Sequence, residues 1–475
     1  MIGSERARSA NSGRYDLAVI GAGSAGFSAA ITAAELGAQV LMVGHGTIGG
    51  TCVNVGCVPS KTLIRAGQAL HDTRAALRFA GLNTTANVDN WRALTEQKDE
   101  LVHSLRQAKY LDLLPEYRGI TYVEGEAQVT PGGVAVGTET YEADKLIVAT
   151  GSSPDIPTIE GLETVPYLTS AMAMDIGWLP RSMIVIGGGY IGCELGQMFA
   201  RAGVAVTLIC RHRLLPSAEP EIADALTSYL SGDGITVMVD AVSQSIAKTD
   251  EGVALNIGHD GRETQIEAEA VLIATGRRPN SDGMALEARG VSLNEAGAIV
   301  VDDRMRTTRP NTYAAGDVTG RDPFVYMAAH GARIAAENAL NGDGRVYDSA
   351  AVPSVTFTDP QVASVGLTEV AARHAGHQVK TSVLMLEHLP RALAARDTRG
   401  LIKLVANEDG RLLGAHILAP EGGDSIQTAA LAIKQRLNVR DLADMVFPYL
   451  TTVEGLKLAA QGFDKDVSKL SCCAG

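Results

Sequence analysis

The sequence lacks a surplus of positive charge. Its 41 Lys and Arg face 54 Asp and Glu, for a net charge of -13, and no basic block interrupts the balance. Nucleic acid is therefore excluded as an expected partner. Long apolar runs are missing too: none approaches the ~20 residues that a spanning helix needs, so membrane insertion is not expected. The first residues, "MIGSERARSANSGRYD", contain no apolar core of a signal peptide, and the expected location is cytoplasmic. Cysteine is scarce, with six in 475 residues. That is too few for a disulfide framework, and cysteines of a cytosolic chain are more often metal-binding or catalytic. No low-complexity linker separates the parts. Aromatics make up only 4%, and the remaining composition is that of an ordinary globular protein.

Glycine, by contrast, is abundant, at 51 residues, and much of it falls where strands meet helices. "YDLAVI" at 15–20 reads as a strand, "GAGSAG" follows, then an Ala-rich helix to about Leu36 and a second strand, "AQVLMV". The same β-α-β unit recurs at 183–209 as "MIVIG", "GGYIG", a helix through Ala202, and "VAVTLI". Gly21-x-Gly23-x-x-Gly26 and Gly187-x-Gly189-x-x-Gly192 have the spacing of turns that bring a pyrophosphate close to a helix N-terminus, where free N–H groups favour anions. Two copies imply two dinucleotide sites. The strands "KLIVATG" and "VLIATG" each close such a segment, with Gly151 and Gly276.

Neither copy has the acidic residue expected ~20 residues on to bind a ribose. In the first, Gly44 stands in its place, leaving the ribose to water or to backbone near Gly46. In the second, "LICRHR" supplies Arg211 and Arg213 instead. Guanidinium groups there suit a 2′-phosphate, so NADPH is expected rather than NADH.

Between the two copies lies "GGTCVNVGCVPSK". Cys52 and Cys57 are too far apart for a relaxed bridge along a regular helix, but Gly50 and Gly56 allow the backbone to distort. A thiol pair just after a dinucleotide-binding strand is placed to exchange electrons with a flavin. Cys193 and Cys210 read as small packing residues. Cys472 and Cys473 in the terminal "SKLSCCAG" are adjacent, a spacing too strained for a structural bridge. They read as a soft-metal ligand pair or a labile redox pair.

"GGTCVNVGCVPSK" closely resembles the redox-active disulfide motif of the flavoprotein disulfide reductases, and the resemblance covers nearly the whole chain. It implies an α/β fold with two Rossmann-like domains and a C-terminal α+β dimerisation domain. The expected boundaries are 1–150 for FAD, 151–277 for NADPH, 278–346 for a central FAD-side segment and 347–475 for dimerisation. "TYAAGDVT" at 312–319 resembles the family's second FAD motif, with Asp317 on the ribityl chain. By the same resemblance Gly26, Gly46, Thr51, Lys61, Ala127 and Val325 line FAD. Lys61 lies near the flavin and pairs with Glu194, and Tyr190 gates the nicotinamide pocket.

The family's thiol-exchanging members carry His-Pro-x-x-x-Glu near the C-terminus. Here "PYLTTVEG" keeps Glu454 but has Tyr449 and Leu450 in the His and Pro positions. With a reference pKa near ~10, Tyr is a poor proton shuttle. The mercuric reductases of the family carry Tyr at this place and a vicinal cysteine pair at the end, which "SKLSCCAG" resembles. The resemblance implies that Hg(II)–thiol complexes are captured by Cys472 and Cys473 and delivered to Cys52 and Cys57 of the partner subunit in a homodimer. NADPH, through FAD, then supplies the electrons that yield Hg(0). The alternative is a thioredoxin-reductase-like disulfide reductase with a Cys-Cys relay. Many mercuric reductases begin with a small Cys-x-x-Cys metal-binding domain, and this sequence begins almost directly at the FAD strand.

Overall fold

The computed structural model describes residues 14–469, which divide into two compact units. The first comprises residues 14–58, 100–153 and 277–347. Its centre is Tyr15–Ile20, paired in parallel with Val40–Gly44 on one side and Glu139–Val148 on the other. Ile120–Glu124 extends the sheet beyond Val40–Gly44, and Thr312–Ala314 adds in parallel to Glu139–Val148. Strands buried on both faces must be continuously apolar, and "LAVI" and "VLMV" are fully buried. The early half of the ten-residue strand Glu139–Val148 pairs instead with a hairpin, Ala127–Thr130 and Gly133–Val136. Helices Ser24–Glu35 and Val325–Asn341 pack together on small residues. Ser28 Oγ donates to the Ala329 carbonyl at 2.8 Å.

The second unit comprises residues 59–99, 154–276 and 348–469. Ser182–Ile186 pairs in parallel with Ala205–Ile209 and with Ala270–Ile273, repeating the central arrangement of the first unit. Thr236–Met238 and Tyr167–Leu168 form its edges, and a three-stranded antiparallel sheet spans 242–268. The C-terminal part is a five-stranded antiparallel sheet covered by helices such as Gly422–Lys434. The molecule therefore has two Rossmann-like sheets and a C-terminal α+β domain. No helix among the described residues is long and apolar enough to cross a membrane.

Within the second unit the antiparallel domain is joined to the parallel one by buried charge. Arg201, at the end of helix Tyr190–Arg201, contacts Asp233 at 3.0 Å and Asp359 at 2.7 Å. Arg399 contacts the same Asp359 carboxylate at 3.2 Å and Asp397 at 2.8 Å. Gln197 accepts from the Asp359 N–H at 2.8 Å. Burial alone would raise the Asp359 pKa, but the two guanidinium groups overcome it and hold the carboxyl below its ordinary range. His71 beside it is held below its usual value by burial and by Arg201.

A carboxylate whose folded pKa is depressed contributes stability above its unfolded pKa, near ~3.9, that is lost as pH falls through the folded value. Removing one member of such a buried cluster costs about 3–5 kcal/mol. Asp359→Asn should therefore lower the melting temperature at neutral pH and flatten the acid limb of the stability curve below about pH 4. Melts that fall as steeply with acid in the variant as in the parent would show that Asp359 is not the linked group.

Candidate active site

The glycine turns follow directly from the strands. Ile20 is in register with both Val43 and Val148, so the chain leaves the sheet at Gly21 between two strand ends. Gly21 has φ +122°, and a Cβ there would lie 2.2 Å from the Ala149 carbonyl oxygen; one on Gly26 would lie 1.8 Å from the Gly21 oxygen. The second turn repeats this. Gly187 has φ +123° and would meet the Ala274 oxygen at 2.2 Å, and Gly192 would meet the Gly187 oxygen at 1.9 Å. Gly189 faces open space, while Gly23 touches Gly50. Both turns thus lead backbone N–H groups into a helix start with no side chain in the way, which fits a pyrophosphate.

Gly44 has a local cause. A Cβ there would sit 2.6 Å from both the Ala22 Cβ and the Tyr122 hydroxyl. Tyr122, on the neighbouring strand, fills the space where an acidic side chain was expected. Glu124 lies directly across from Gly44 in the sheet. Gly46 at φ +75°, Gly151 at φ +74° and Gly276 at φ +133° all face open space. In the first unit, Asp317 opens a short turn and its carboxylate accepts from Ser152 Oγ at 2.7 Å. Ala127 starts a strand, Val325 starts the long helix, and Thr51 is exposed.

Cys52 lies in a short helix, Gly50–Val55, and Cys57 begins a second, Cys57–Ala75. The break is at Gly56, where a Cβ would lie 2.9 Å from the Thr51 oxygen and 3.2 Å from the Cys52 Cα. That close approach folds the chain back on Cys52 and frees the N-terminus of the second helix, whose dipole favours an anionic sulfur at Cys57. Asn54 fixes the segment, donating to the Ile48 and Gly50 carbonyls at 2.9 Å each and accepting from Arg106 at 3.2 Å. Lys61 is one turn along the same helix. Its ammonium contacts Glu194 at 2.7 Å and lies 4.9 Å from the Phe357 ring centroid. Glu194, 4% exposed, also accepts from the Phe357 N–H at 2.8 Å. The expected Lys61–Glu194 pair is therefore formed.

Two phenols escaped sequence reasoning. Tyr110 sits in a π-turn, Gln107–Leu111, packs edge-on against Phe27 at 4.8 Å, and has its hydroxyl 3.3 Å from Ser24 Oγ. Burial raises its pKa, and the charges of Cys52 and Cys57 act in the same direction. Tyr326 stacks on Phe324 at 5.3 Å. Burial pushes its phenol up to about 12, and the charges of Asp322 and Cys57 act in the same direction. The available signal was scarcity: with only 12 tyrosines in the chain, each was a candidate, but neither is near the cysteines in sequence.

Tyr190 opens its helix and is 41% exposed. Arg211 is exposed, and Arg213 donates to the Pro216 and Ala218 carbonyls at 3.1 and 2.9 Å, bracing its own loop. Tyr449 is 52% exposed. Leu450 has φ +61°, and its N–H donates to the buried Glu454 carboxylate at 3.2 Å. Burial raises the Glu454 pKa. Proline at 450 has neither that N–H nor access to that φ, so the turn is incompatible with a His-Pro pair. Cys472 and Cys473 lie outside the described residues.

A hydrogen bond to a charged acceptor contributes about 1.5–3 kcal/mol. Glu454→Ala should accordingly speed hydrogen exchange at the Leu450 amide by roughly tenfold or more, and Glu454→Gln should do so less. Unchanged exchange in the Ala variant would remove Glu454 as the anchor of this turn.

Residues 15–336 match the family described as pyridine nucleotide-disulphide oxidoreductase, and residues 352–460 match the dimerisation domain of that family. A mercuric reductase of Streptomyces lividans is 48% identical over 97% of this chain and 98% of its own length. One from Staphylococcus aureus is 46% identical over 98% of this chain and 85% of its own. Among solved structures, the HOCl-induced flavoprotein disulfide reductase RclA from Escherichia coli superposes with a TM-score of 0.83 at 30% identity, over 94% of this chain and 99% of that one. FAD and NADPH are the cofactors of such chains, and the two glycine turns fit them. With both dinucleotide turns, the paired cysteines and the dimerisation domain accounted for, the chain belongs to the pyridine nucleotide-disulphide oxidoreductases and, within them, to the mercuric reductase group.

Proposed function

We propose that this protein reduces Hg(II) to Hg(0) at the expense of NADPH, in a homodimer. The observation that carries this reading over disulfide reduction is the turn at 449–454. A disulfide reductase needs an acid/base group to protonate the leaving thiolate, and here a phenol stands in that position on a backbone that Glu454 holds through the Leu450 N–H. Passing Hg(II) between thiolates needs no such group. The ion is soft, prefers thiolate ligands, and passes between thiol pairs by ligand exchange.

In this reading Cys52 and Cys57 take Hg(II) from its incoming thiols, with Cys57 the sulfur nearer the flavin. Tyr110, Tyr326 and Tyr449 offer hydroxyls that orient thiolates during exchange. FAD, held by the first glycine turn and Asp317, would supply the redox link between NADPH and the cysteine pair. Lys61, fixed by Glu194, places a positive charge beside the flavin site, and Tyr190 covers the nicotinamide pocket. Arg211 is the main contact for the 2′-phosphate, with Arg213 holding the loop that presents it. Asp317, steadied by Ser152, holds the ribityl chain. The tail cysteines Cys472 and Cys473 capture Hg(II) and serve the partner subunit's inner pair.

With Hg(II) buffered by excess thiol, NADPH oxidation should depend on mercury, and one Hg(0) should leave as vapour per NADPH. Robust turnover of oxidised glutathione or oxidised thioredoxin without mercury would overturn the assignment. For the tail, Cys57→Ala with an intact tail is combined with a variant carrying Cys472→Ala and Cys473→Ala. Each alone should be inactive on a bulky mercury–thiol complex. Random mixing in a two-fold dimer should restore roughly a quarter of full activity. No recovery, with mixed dimers verified by mass, would mean that each tail serves its own subunit.

A further inference from the structure

Two thiols take no part in the chemistry above. Cys193 lies in the first turn of helix Tyr190–Arg201 and is fully buried, and Cys210 follows strand Ala205–Ile209 and is 7% exposed. Both touch one residue of the second glycine turn. Cys193 Sγ donates to the Gly188 carbonyl at 3.6 Å. A Cβ on Gly188 would lie 2.7 Å from the Cys210 Cβ and 3.0 Å from its Sγ. Both cysteines belong to one buried cluster that also contains Leu214 and Leu215. Burial keeps both protonated, pushing Cys210 up to about 11 and Cys193 higher still, with Cys210 among the groups raising it. The four cysteines among the described residues thus lie in two places, Cys52 and Cys57 around Gly56 and Cys193 and Cys210 against Gly188.

A short irregular segment, residues 211–218, covers the second pair. Leu215 N–H donates to the same Gly188 carbonyl at 2.8 Å. A Cβ on Gly188 would also meet the fully buried Leu214 side chain, at 3.0 Å. Arg213 ties the segment to itself through Pro216 and Ala218. The segment follows directly from the strand that flanks the nucleotide turn and carries Arg211 and Arg213.

We propose that Cys193 and Cys210 form a second, inhibitory soft-metal site that takes Hg(II) when the segment 211–218 opens and that bound nucleotide keeps shut. A bis-thiolate Hg(II) complex meets two protonated thiols. Two S–H bonds break, two protein S–Hg bonds form, and the two original ligands leave as thiols carrying the protons. No oxidation state changes. Metal between these sulfurs displaces Gly188 from the turn. It also disturbs Glu194, the residue after Cys193, whose carboxylate holds Lys61 at 2.7 Å. The inference does not depend on Hg(II) being the substrate, since a soft ion of any origin meets the same thiols.

The test uses FAD-loaded protein with Cys52, Cys57, Cys472 and Cys473 all changed to Ser, which leaves only Cys193 and Cys210 of the six cysteines. It is exposed to the bis(2-mercaptoethanol) complex of Hg(II), desalted and weighed by native mass spectrometry. One mercury per subunit should be retained, and NADP⁺ binding should be lost with it. A ligand that binds only the closed form suppresses opening by 1 + [L]/Kd, so NADP⁺ at a hundred times its Kd should slow capture about a hundredfold. Adding Cys210→Ser should abolish retention. If that variant does not fold, alkylation of the mercury-loaded parent after denaturation gives the same information, because both thiols should be protected until a dithiol strips the metal. No retained mercury, mercury retained with both thiols open to alkylation, or capture indifferent to NADP⁺ would each overturn the proposal.

Discussion

Everything at the two nucleotide sites depends on backbone meeting backbone with no Cβ between. At Gly26 and Gly192 a methyl group would lie within 2 Å of a carbonyl oxygen of the same turn, so even alanine would force helix and strand apart. Because the strand register ends the sheet at Ile20 and at Ile186, these contacts fix where each helix starts and where its free N–H groups point. The two turns agree to about a tenth of an ångström in their closest approaches. One local sequence therefore makes the same anion cradle twice, on two different sheets.

The redox pair rests on the same device. At Gly56 the missing side chain lets the chain fold back against Cys52 and start a new helix at Cys57. Charges of the thiols also reach phenols on distant segments, Tyr110 in a π-turn and Tyr326 at the start of the helix Val325–Asn341. Burial holds both phenols protonated, with Cys57 adding to the upward shift of each.

The turn at 449–454 explains how a family motif can keep one residue and change its work. Glu454 remains buried as an acceptor, but its donor is a backbone N–H at a left-handed Leu450. A carboxylate that orients an imidazole in thiol-exchanging relatives here fixes main chain, leaving Tyr449 exposed on a defined turn. The change is coherent, since both the φ and the N–H at 450 are unavailable to proline.

The sequence by itself determined the parts whose physics is local. Strand, glycine turn and helix follow one another within 30 residues, so Gly21–Gly26 and Gly187–Gly192 were legible, as were the thiol pair with its glycines and the Tyr449 and Leu450 substitutions. The Lys61–Glu194 pair was reached through family resemblance, and the structure forms it. Only the tertiary structure could explain Gly44, because its obstacle, Tyr122, comes from a strand almost 80 residues away and is brought opposite by sheet register. The same holds for the Tyr110 contacts with Phe27 and Ser24, and for Cys193 and Cys210, which sequence reading took as small packing residues and the fold sets against one glycine. In each case the meeting depends on long-range packing, which no short window of sequence encodes.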